Sequence, residues 1–325
     1  MSRVLVTGAA GFVGVHVCRN LRRNGFEVRA TVRDEAGSME ADELRIVGDI
    51  AIFDRWDDVV SGCDTVVHLA ARVHQIGENP ELAAGAYRQV NVEATRRLAQ
   101  SAIDAGVRRF VLVSTLHVLG EASSTPLRED ISPAPLSPYA LSKLEAENAL
   151  HDACRSARME WVILRPPLIY GPGVLGNLER LIRLVDRGWP LPFGAVKARR
   201  HLVSVLSLAD AVRLAVSHSN ARGQAFVVAD EASVTLAEIV SALAAGLDRK
   251  AAIWTVPLPI LRGMARVVGR DRDLEKLAAP LLVDSSKIRR LLGWSDQESP
   301  WEGLKNCAAE FRRNRDRGTT AARGA

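Results

Sequence analysis

Short runs of β-branched and aliphatic residues alternate with longer amphipathic stretches over the first half of the chain. The apolar runs predict strands at 3–7, 27–32, 45–47, 65–69, 110–114 and 161–165. Helical periodicity is clearest between them, at 14–24, 87–105 and 138–157. Because the strands are apolar on both faces and alternate with helices, the pattern predicts a parallel sheet that is covered by helices on both sides.

The composition is that of an ordinary globular protein, with 47% hydrophobic and 25% charged residues in a chain of 325. The four cysteines have neither metal-ligand nor disulfide-framework spacing, which predicts a reduced, cytoplasmic protein without a bound metal. No apolar stretch is long enough to span a membrane. The net charge of +5 comes partly from an arginine-rich C-terminus, which we interpret as a solvated chain end, so we expect neither a nucleic acid nor a membrane as a partner.

Three glycines, Gly8, Gly11 and Gly14, follow the first strand and open the first helix. Glycines at this point allow a tight turn and a close approach of the backbone. The free N–H groups of the helix N-terminus, including those of Phe12 and Val13, can then bind an anion. The G-x-x-G-x-x-G spacing between a strand and a helix therefore predicts a site for the pyrophosphate of a dinucleotide. The alternative is that the glycines serve only to pack the helix closely on the strand.

The glycine turn extends the prediction to a Rossmann-type, doubly wound α/β fold. Beyond residue 165, prolines and glycines interrupt the pattern, and helix and strand patterns return near 203–217 and 226–229. We predict a dinucleotide-binding domain of residues 1–165 with returning segments at about 202–229. A smaller C-terminal substrate-binding lobe would contain residues 166–201 and about 230–311, and residues 312–325 would form a disordered basic tail.

The end of the second strand bears on the choice of dinucleotide. NAD-binding folds usually have an acidic residue there for the ribose hydroxyls, whereas this chain has Val32 followed by Arg33 and Asp34. A guanidinium suits a 2′-phosphate, so Arg33 favours NADP(H), while NAD(H) stays possible if Asp34 holds the ribose. Further candidate cofactor contacts, on the adenine side and after the fourth strand, are Asp49, Ile50, Leu69, Ala70 and Ala71.

The main candidates for chemistry are Tyr139 and Lys143, which lie four residues apart in a predicted helix and therefore on one face. We expect the charge of the lysine to lower the pKa of the phenol, so that Tyr139 can exchange a proton with a substrate hydroxyl. Thr115 follows a buried strand, 24 residues before Tyr139, and would lie at the carboxyl edge of the sheet, where ligands bind. Its hydroxyl could orient the substrate oxygen.

These motifs together resemble the extended short-chain dehydrogenases/reductases of the NAD-dependent epimerase/dehydratase family. The resemblance covers nearly the whole chain and includes Thr7-Gly8-x-x-Gly11-x-x-Gly14, His68-Leu69-Ala70-Ala71, Asn91-Val92 with Thr95, Ser114-Thr115, Pro138-Tyr139-x-x-Ser142-Lys143 and Leu164-Arg165-Pro166. It implies that Tyr139 is the acid/base, that Lys143 activates it and binds the nicotinamide ribose, and that Thr115 binds the reacting sugar oxygen. It also implies a cofactor contact at Pro166, diphosphate contacts at Asn177 and Arg200, a nucleotide-sugar substrate and a homodimer.

The residues after Thr115 distinguish between the reactions of this family. Its sugar 4,6-dehydratases have an Asp-Glu pair there, whereas this chain has Leu116 and His117, which argues against dehydration. On an extended strand His117 would point to the same side as Thr115 and could touch the sugar. A purely structural role for this histidine is equally open.

Two reactions at C4 of a UDP-sugar then stay open. Arg33 favours a reductase on cofactor grounds. The runs 68–74 and 119–121 resemble bacterial surface-polysaccharide enzymes, which implies a reductase of the UDP-N-acetylquinovosamine 4-dehydrogenase type, acting on a UDP-4-keto-6-deoxy-N-acetylhexosamine. The alternative is a UDP-glucose or UDP-N-acetylglucosamine 4-epimerase with tightly bound NAD. A non-catalytic dinucleotide-binding sensor is a third reading, but such proteins typically lose the tyrosine or the lysine, and both are present.

Overall fold

The computed structural model describes residues 2–34, 40–73, 80–267, 274–275 and 278–323. Its strands are β1 (Arg3–Thr7), β2 (Glu27–Val32), β3 (Glu43–Ile46), β4 (Thr65–His68), β5 (Arg109–Val113), β6 (Ser123–Leu127), β7 (Glu160–Arg165), β8 (Ile169–Tyr170), β9 (Arg199–Arg200), β10 (Val203–Ser204), β11 (Gln224–Val227), β12 (Val234–Thr235) and β13 (Leu281–Val283). Its α-helices are α1 (Phe12–Arg23), α2 (Trp56–Val60), α3 (Pro80–Tyr87), α4 (Ala94–Asp104), α5 (Pro138–Cys154), α6 (Asn177–Asp186), α7 (Val205–Ser217), α8 (Leu236–Gly246), α9 (Leu258–Val267), α10 (Ser286–Leu292) and α11 (Pro300–Arg323). The bounds of β1 and β2 agree with the prediction.

The main sheet has seven parallel strands in the order β11-β7-β5-β4-β1-β2-β3. Helices α1 and α7 pack on one face, where Val17 and Val212 join the buried core. Helices α2, α4 and α5 cover the other face, with Leu98 and Leu150 in its core. The predicted Rossmann-type α/β fold is confirmed. The strand order reverses between β1 and β4, so a crevice opens beside the glycine turn at the carboxyl ends of these strands.

A second, four-stranded sheet has the order β12-β9-β13-β6. Strand β6 was not predicted. It lies within residues 1–165 but belongs to the second sheet, so this range is not confined to the main sheet. It is held there by a cluster that joins Leu127 to Leu281 and Val283. Helices α6, α8 and α11 pack beside this sheet around Leu243 and Leu304. Strand β11 returns to the main sheet, next to β7.

The basic C-terminal segment is helical up to Arg323, whereas a disordered tail was expected from residue 312 onward. Ion pairs fix the helix against the neighbouring lobe, because Arg315 pairs with Asp186 at 2.6 Å and Arg312 pairs with Asp248. Part of the positive charge that looked solvated is therefore neutralised within the fold. Among the described residues, no helix is both long and apolar enough to cross a membrane.

Candidate active site

The glycine turn joins β1 to α1 as predicted. Gly8 has a φ of +68°, and a Cβ there would lie 2.7 Å from the backbone nitrogen of Ala70. A Cβ on Gly14 would lie 2.3 Å from the carbonyl oxygen of Gly8. These two glycines therefore do serve close packing. Gly11 is different, because it is exposed, caps α1 without a side chain, and would place a Cβ near the oxygen of Gly8 alone, at 3.1 Å.

The start of α1 fits a pyrophosphate. The first turn holds no acidic residue, and the N–H groups at a helix N-terminus lack intrahelical partners. Leu69, Ala70 and Ala71 follow β4 beside the turn and are half-buried. The N–H of Ala70 donates to the hydroxyl of Thr7 at 3.3 Å, which fixes this second loop against the first. The combination of packed glycines and an open helix end supports the predicted dinucleotide site.

The side chains after β2 and β3, predicted to contact the adenosine part of the cofactor, are held by fewer contacts. Arg33 and Asp34 both follow β2 and both are exposed, so the fold favours neither as the ribose ligand. The carboxylate of Asp49 accepts the N–H of Ala51 at 2.9 Å and shapes the turn after β3. Ile50 packs against the core under α2. Contacts of Arg33, Asp49 and Ile50 with a cofactor stay predictions.

The structure brings Thr115, Tyr139 and Lys143 together. Helix α5 begins at Pro138, where the side chain of Ser137 caps it, so Tyr139 lies in the first turn. The hydroxyl of Thr115, just beyond β5, lies near enough to the phenol of Tyr139 to act on its pKa. The ammonium of Lys143 is buried and donates to the carbonyl oxygen of Val113 at 2.8 Å. Val113 ends β5 and Thr115 follows it, so the side chains of Lys143 and Thr115 both lie at the carboxyl edge of the main sheet, with Tyr139 beside Thr115.

The pKa of Tyr139 does not move in the expected direction. Burial, and then the neighbouring phenol of Tyr87, raise it to about 12, while the hydroxyl of Thr115 opposes them. Lys143 was expected to lower this pKa, but its ammonium is engaged by a backbone carbonyl, and burial lowers its own pKa to about 8. The surroundings of Tyr139 in this structure therefore favour the neutral phenol.

His117 does not lie on an extended strand. The segment Leu116–Val118 is a 3₁₀ turn, capped by the hydroxyl of Thr115, which accepts the N–H of His117 at 3.3 Å. His117 therefore does not point along the side of an extended strand as expected, and a sugar contact by this half-buried residue stays a prediction.

Three further candidates lie around the crevice. Pro166 is buried, and its carbonyl accepts the N–H of Leu116 at 2.8 Å. Asn177 is exposed at the first position of α6. On β9, Arg199 pairs outward with Glu238, whereas the half-buried Arg200 lies on the opposite side of the strand. Because burial lowers the pKa of Arg200, its environment differs from that of a solvated surface arginine.

A chain of buried hydrogen bonds beside the site was not predicted. The hydroxyl of Thr95 donates to the carbonyl of Asn91 at 2.6 Å, so it can only accept from His68 Nε2, at 3.0 Å. His68 Nδ1 then accepts from the hydroxyl of Thr7 at 2.6 Å. Burial, aided by the charge of Lys143, lowers the pKa of His68 to about 3, so the imidazole is neutral.

The same chain of bonds reaches helix α5, which carries Tyr139 and Lys143. Asn91 donates from Nδ2 to Ser142 Oγ at 2.9 Å and to the carbonyl of Arg72 at 3.1 Å. Ser142 in turn donates to the carbonyl of Tyr139 at 2.8 Å. Asn91 lies in a π-helical segment, Arg88–Glu93, of a kind that often marks functional sites. Asn91 and Ser142 stood in the sequence motifs, but spacing alone did not show that they meet.

Another unpredicted contact anchors α5 to the end of β7. Arg165 donates to Glu147 through Nε at 3.1 Å and through a terminal nitrogen at 2.6 Å, and both side chains are buried. Glu147 lies one helical turn after Lys143, and its charge raises the pKa of that lysine against the effect of burial. The carboxylate therefore acts on Arg165 and on Lys143 at once.

The fold and the site together define an α/β oxidoreductase of the short-chain dehydrogenase/reductase class. The model of the NAD dependent epimerase/dehydratase family matches residues 4–229, and the chain belongs to this family. It is 36% identical to a UDP-glucose 4-epimerase of Vibrio cholerae over 95% of each chain. It is 26% identical to an undecaprenol-diphosphate-linked N-acetylglucosaminyl 4-epimerase of Escherichia coli O157:H7, over 79% of this chain and 76% of that one.

Among solved structures, MoeE5 in complex with UDP-glucuronic acid and NAD is similar at 28% identity and a TM-score of 0.78. The match covers 96% of this chain and all of that one. With the family assignment, this establishes an NAD(P)-dependent enzyme related to UDP-sugar 4-epimerases.

Proposed function

We propose that this protein is a UDP-hexose 4-epimerase that retains NAD and interconverts UDP-glucose and its C4 epimer. The observation that carries the proposal is the meeting of Thr115, Tyr139 and Lys143 at the carboxyl edge of the sheet, beside the open glycine turn. The full-length similarity to a UDP-glucose 4-epimerase supports the choice of reaction over the reductase that Arg33 favoured.

Tyr139 would move the proton at the C4 oxygen of the sugar. Its neutral phenol is suited to donate a proton to a C4 ketone, and its phenolate to take one from a C4 hydroxyl. A bound oxidised nicotinamide would supply a hydride acceptor and a positive charge that lowers the pKa of the phenol. Thr115 would hold the C4 oxygen through its hydroxyl, and Lys143, fixed by the carbonyl of Val113, would hold the nicotinamide ribose.

Arg200 and Asn177 are the proposed diphosphate contacts of the substrate. Arg200 lies on the second sheet, facing away from Arg199, and it keeps its charge despite burial because an arginine does not deprotonate in proteins. A fixed guanidinium suits a diphosphate through paired, charge-assisted hydrogen bonds. His117, beside Thr115, is proposed to contact the sugar.

The reduction of a UDP-4-keto-6-deoxy sugar with NADPH is the second candidate. It is favoured by Arg33, which is exposed directly after β2 and carries a guanidinium of the kind that suits a 2′-phosphate. The same Thr-Tyr-Lys set would serve this reaction, so the coenzyme distinguishes the two.

The test is to purify the protein, denature it and identify the released dinucleotide. An epimerase should release NAD and should convert UDP-glucose into its C4 epimer, followed by NMR, without added coenzyme. The Tyr139→Phe variant should retain NAD and lose roughly a hundredfold to ten-thousandfold in turnover. An empty protein that consumes NADPH only with a UDP-4-keto sugar would refute the epimerase and establish the reductase. Full activity of Tyr139→Phe would refute both.

A further inference from the structure

Tyr139, the proposed acid/base, receives little support from its own helix. Side chains of an α-helix lean toward the N-terminus of the helix and pack over the turn that precedes them. Tyr139 is the second residue of α5, so no turn of α5 precedes it. The position of its ring therefore depends on side chains that other elements bring to it.

Tyr87 supplies a direct contact to this ring. The two rings meet edge to face, with their centroids 6.1 Å apart and their planes at 64°, an arrangement that aromatic pairs favour. Tyr87 is the last residue of α3 and is only 2% exposed, so close packing restricts its ring. The guanidinium of Arg72, in the loop after β4, lies 5.9 Å from the centroid of the Tyr87 ring and adds a cation–π contact.

The segment that begins with Tyr87 also holds the backbone of Tyr139. Asn91, four residues after Tyr87, binds the backbone N–H and carbonyl of Arg72 and donates to the hydroxyl of Ser142. Ser142 donates to the carbonyl of Tyr139 at 2.8 Å. One short segment thus acts on Tyr139 twice, directly through the ring and, by way of Ser142, through the backbone.

We propose that Tyr87 is a positioning residue, whose aromatic ring holds the ring of Tyr139 in the orientation that proton transfer at the sugar requires. The inference rests on the proposed function, in which Tyr139 exchanges a proton with the C4 oxygen. Such a transfer requires hydrogen-bonding distance between the two oxygens, and a displacement of about 1 Å near the reacting atoms can cost about a hundredfold in rate. Since the contact is made by the ring, phenylalanine at position 87 should serve as well as tyrosine, whereas an aliphatic side chain should not.

The test is steady-state kinetics of the purified enzyme with UDP-glucose, or with a UDP-4-keto sugar and NADPH if the wild type is a reductase, because Tyr139 has the same part in both reactions. Tyr87→Leu should lower kcat about a hundredfold at an unchanged KM and an unchanged affinity for the coenzyme. Tyr87→Phe should keep the wild-type kcat. If Tyr87→Leu does not fold, Tyr87→Met, whose flexible side chain fills the space without a ring, should show the same loss.

Trp161→Leu is the matched control. Trp161 packs on His151 of α5 with ring centroids 4.0 Å apart, so this change also removes an aromatic contact of the helix. His151 lies about 18 Å from Tyr139 along the helix axis, at a rise of about 1.5 Å per residue. The control should lose thermal stability and keep the wild-type kcat.

The outcomes separate this inference from the proposed function. It is overturned if Tyr87→Leu keeps the wild-type kcat, if Tyr87→Phe loses as much as Tyr87→Leu, or if Trp161→Leu shows the same loss. A rise in KM that accounts for the whole effect would also overturn it, because the ring would then serve binding. Full activity of Tyr139→Phe would instead remove the proposed function itself.

Discussion

The Glu147→Gln substitution tests whether the buried carboxylate on α5 tunes the pKa of Lys143, the lysine of the proposed site, as well as holding the helix. Glutamine keeps the shape and one acceptor, but it removes the charge that faces Arg165 through two hydrogen bonds. Breaking a buried ion pair in this way leaves the guanidinium uncompensated and typically costs about 3–5 kcal/mol. We therefore expect a loss of that order in the free energy of unfolding, measured by urea titration.

The electrostatic effect on Lys143 has a definite sign. Burial already lowers the pKa of this ammonium to about 8, and Glu147 opposes that effect. Removing a charge one helical turn away, at about 6 Å and an effective dielectric constant of about 20, changes the interaction by about 3 kcal/mol, or about 2 pH units. Because the lost charge is negative, the pKa of Lys143 falls, and the alkaline limb of the pH profile of kcat should move to lower pH.

Glu160→Gln is the matched control. Glu160 pairs with the buried Arg109 at 2.6 Å at the start of β7, the end of the strand remote from Arg165. Carbonyl oxygens of Ala215, Val216 and His218 also accept from Arg109. This variant should lose stability without moving the alkaline limb. An unchanged limb in Glu147→Gln, or the same displacement in both variants, would refute the coupling of Glu147 to Lys143.

Three further predictions address the turn, the strand-end hydroxyl and a buried acid. Gly14→Ala should abolish NAD retention and lower the melting temperature, because its Cβ would clash with the backbone oxygen of Gly8 at 2.3 Å. The control Gly85→Ala, whose Cβ would meet no atom within 4 Å, should change neither property in the same thermal and dinucleotide-release assays. Thr115→Val should raise the pKa of Tyr139 further and lower kcat by roughly a hundredfold or more; wild-type turnover across the pH range would contradict its role. Burial raises the pKa of Asp230 from 3.8 to about 7. The protonated carboxyl therefore stabilises the fold fully below about pH 4, and this contribution to the free energy of unfolding, about 4 kcal/mol, is lost as the pH rises through 7. Asp230→Asn should flatten that slope in unfolding titrations, and a slope like that of the wild type would exclude Asp230 as its source.

The parallel sheet was predictable because its strands are buried on both faces and read as continuous apolar runs. Strand β6 was not, since Ser123–Leu127 is largely polar, contains a proline and lies at a sheet edge. Its position depends on Leu127 pairing with Val283, on a strand more than 150 residues later in the chain. The helical C-terminus was missed for a similar reason, because the acidic partners of its arginines, Asp186 and Asp248, precede it by more than 60 residues.

At the site, local spacing placed Tyr139, Lys143 and Thr115, since an i to i+4 relation and a strand end are both properties of one element. What spacing could not supply was the environment of each group. The pKa of Tyr139 depends on burial and on Tyr87, which arrives on a different helix, and Lys143 is held by a backbone carbonyl with no sequence signature. Thr115 likewise caps the turn that carries His117 away from the strand direction. The proposed reacting groups can therefore be named from the sequence, but their protonation depends on long-range packing, and the pH profiles of Glu147→Gln and Thr115→Val measure that part directly.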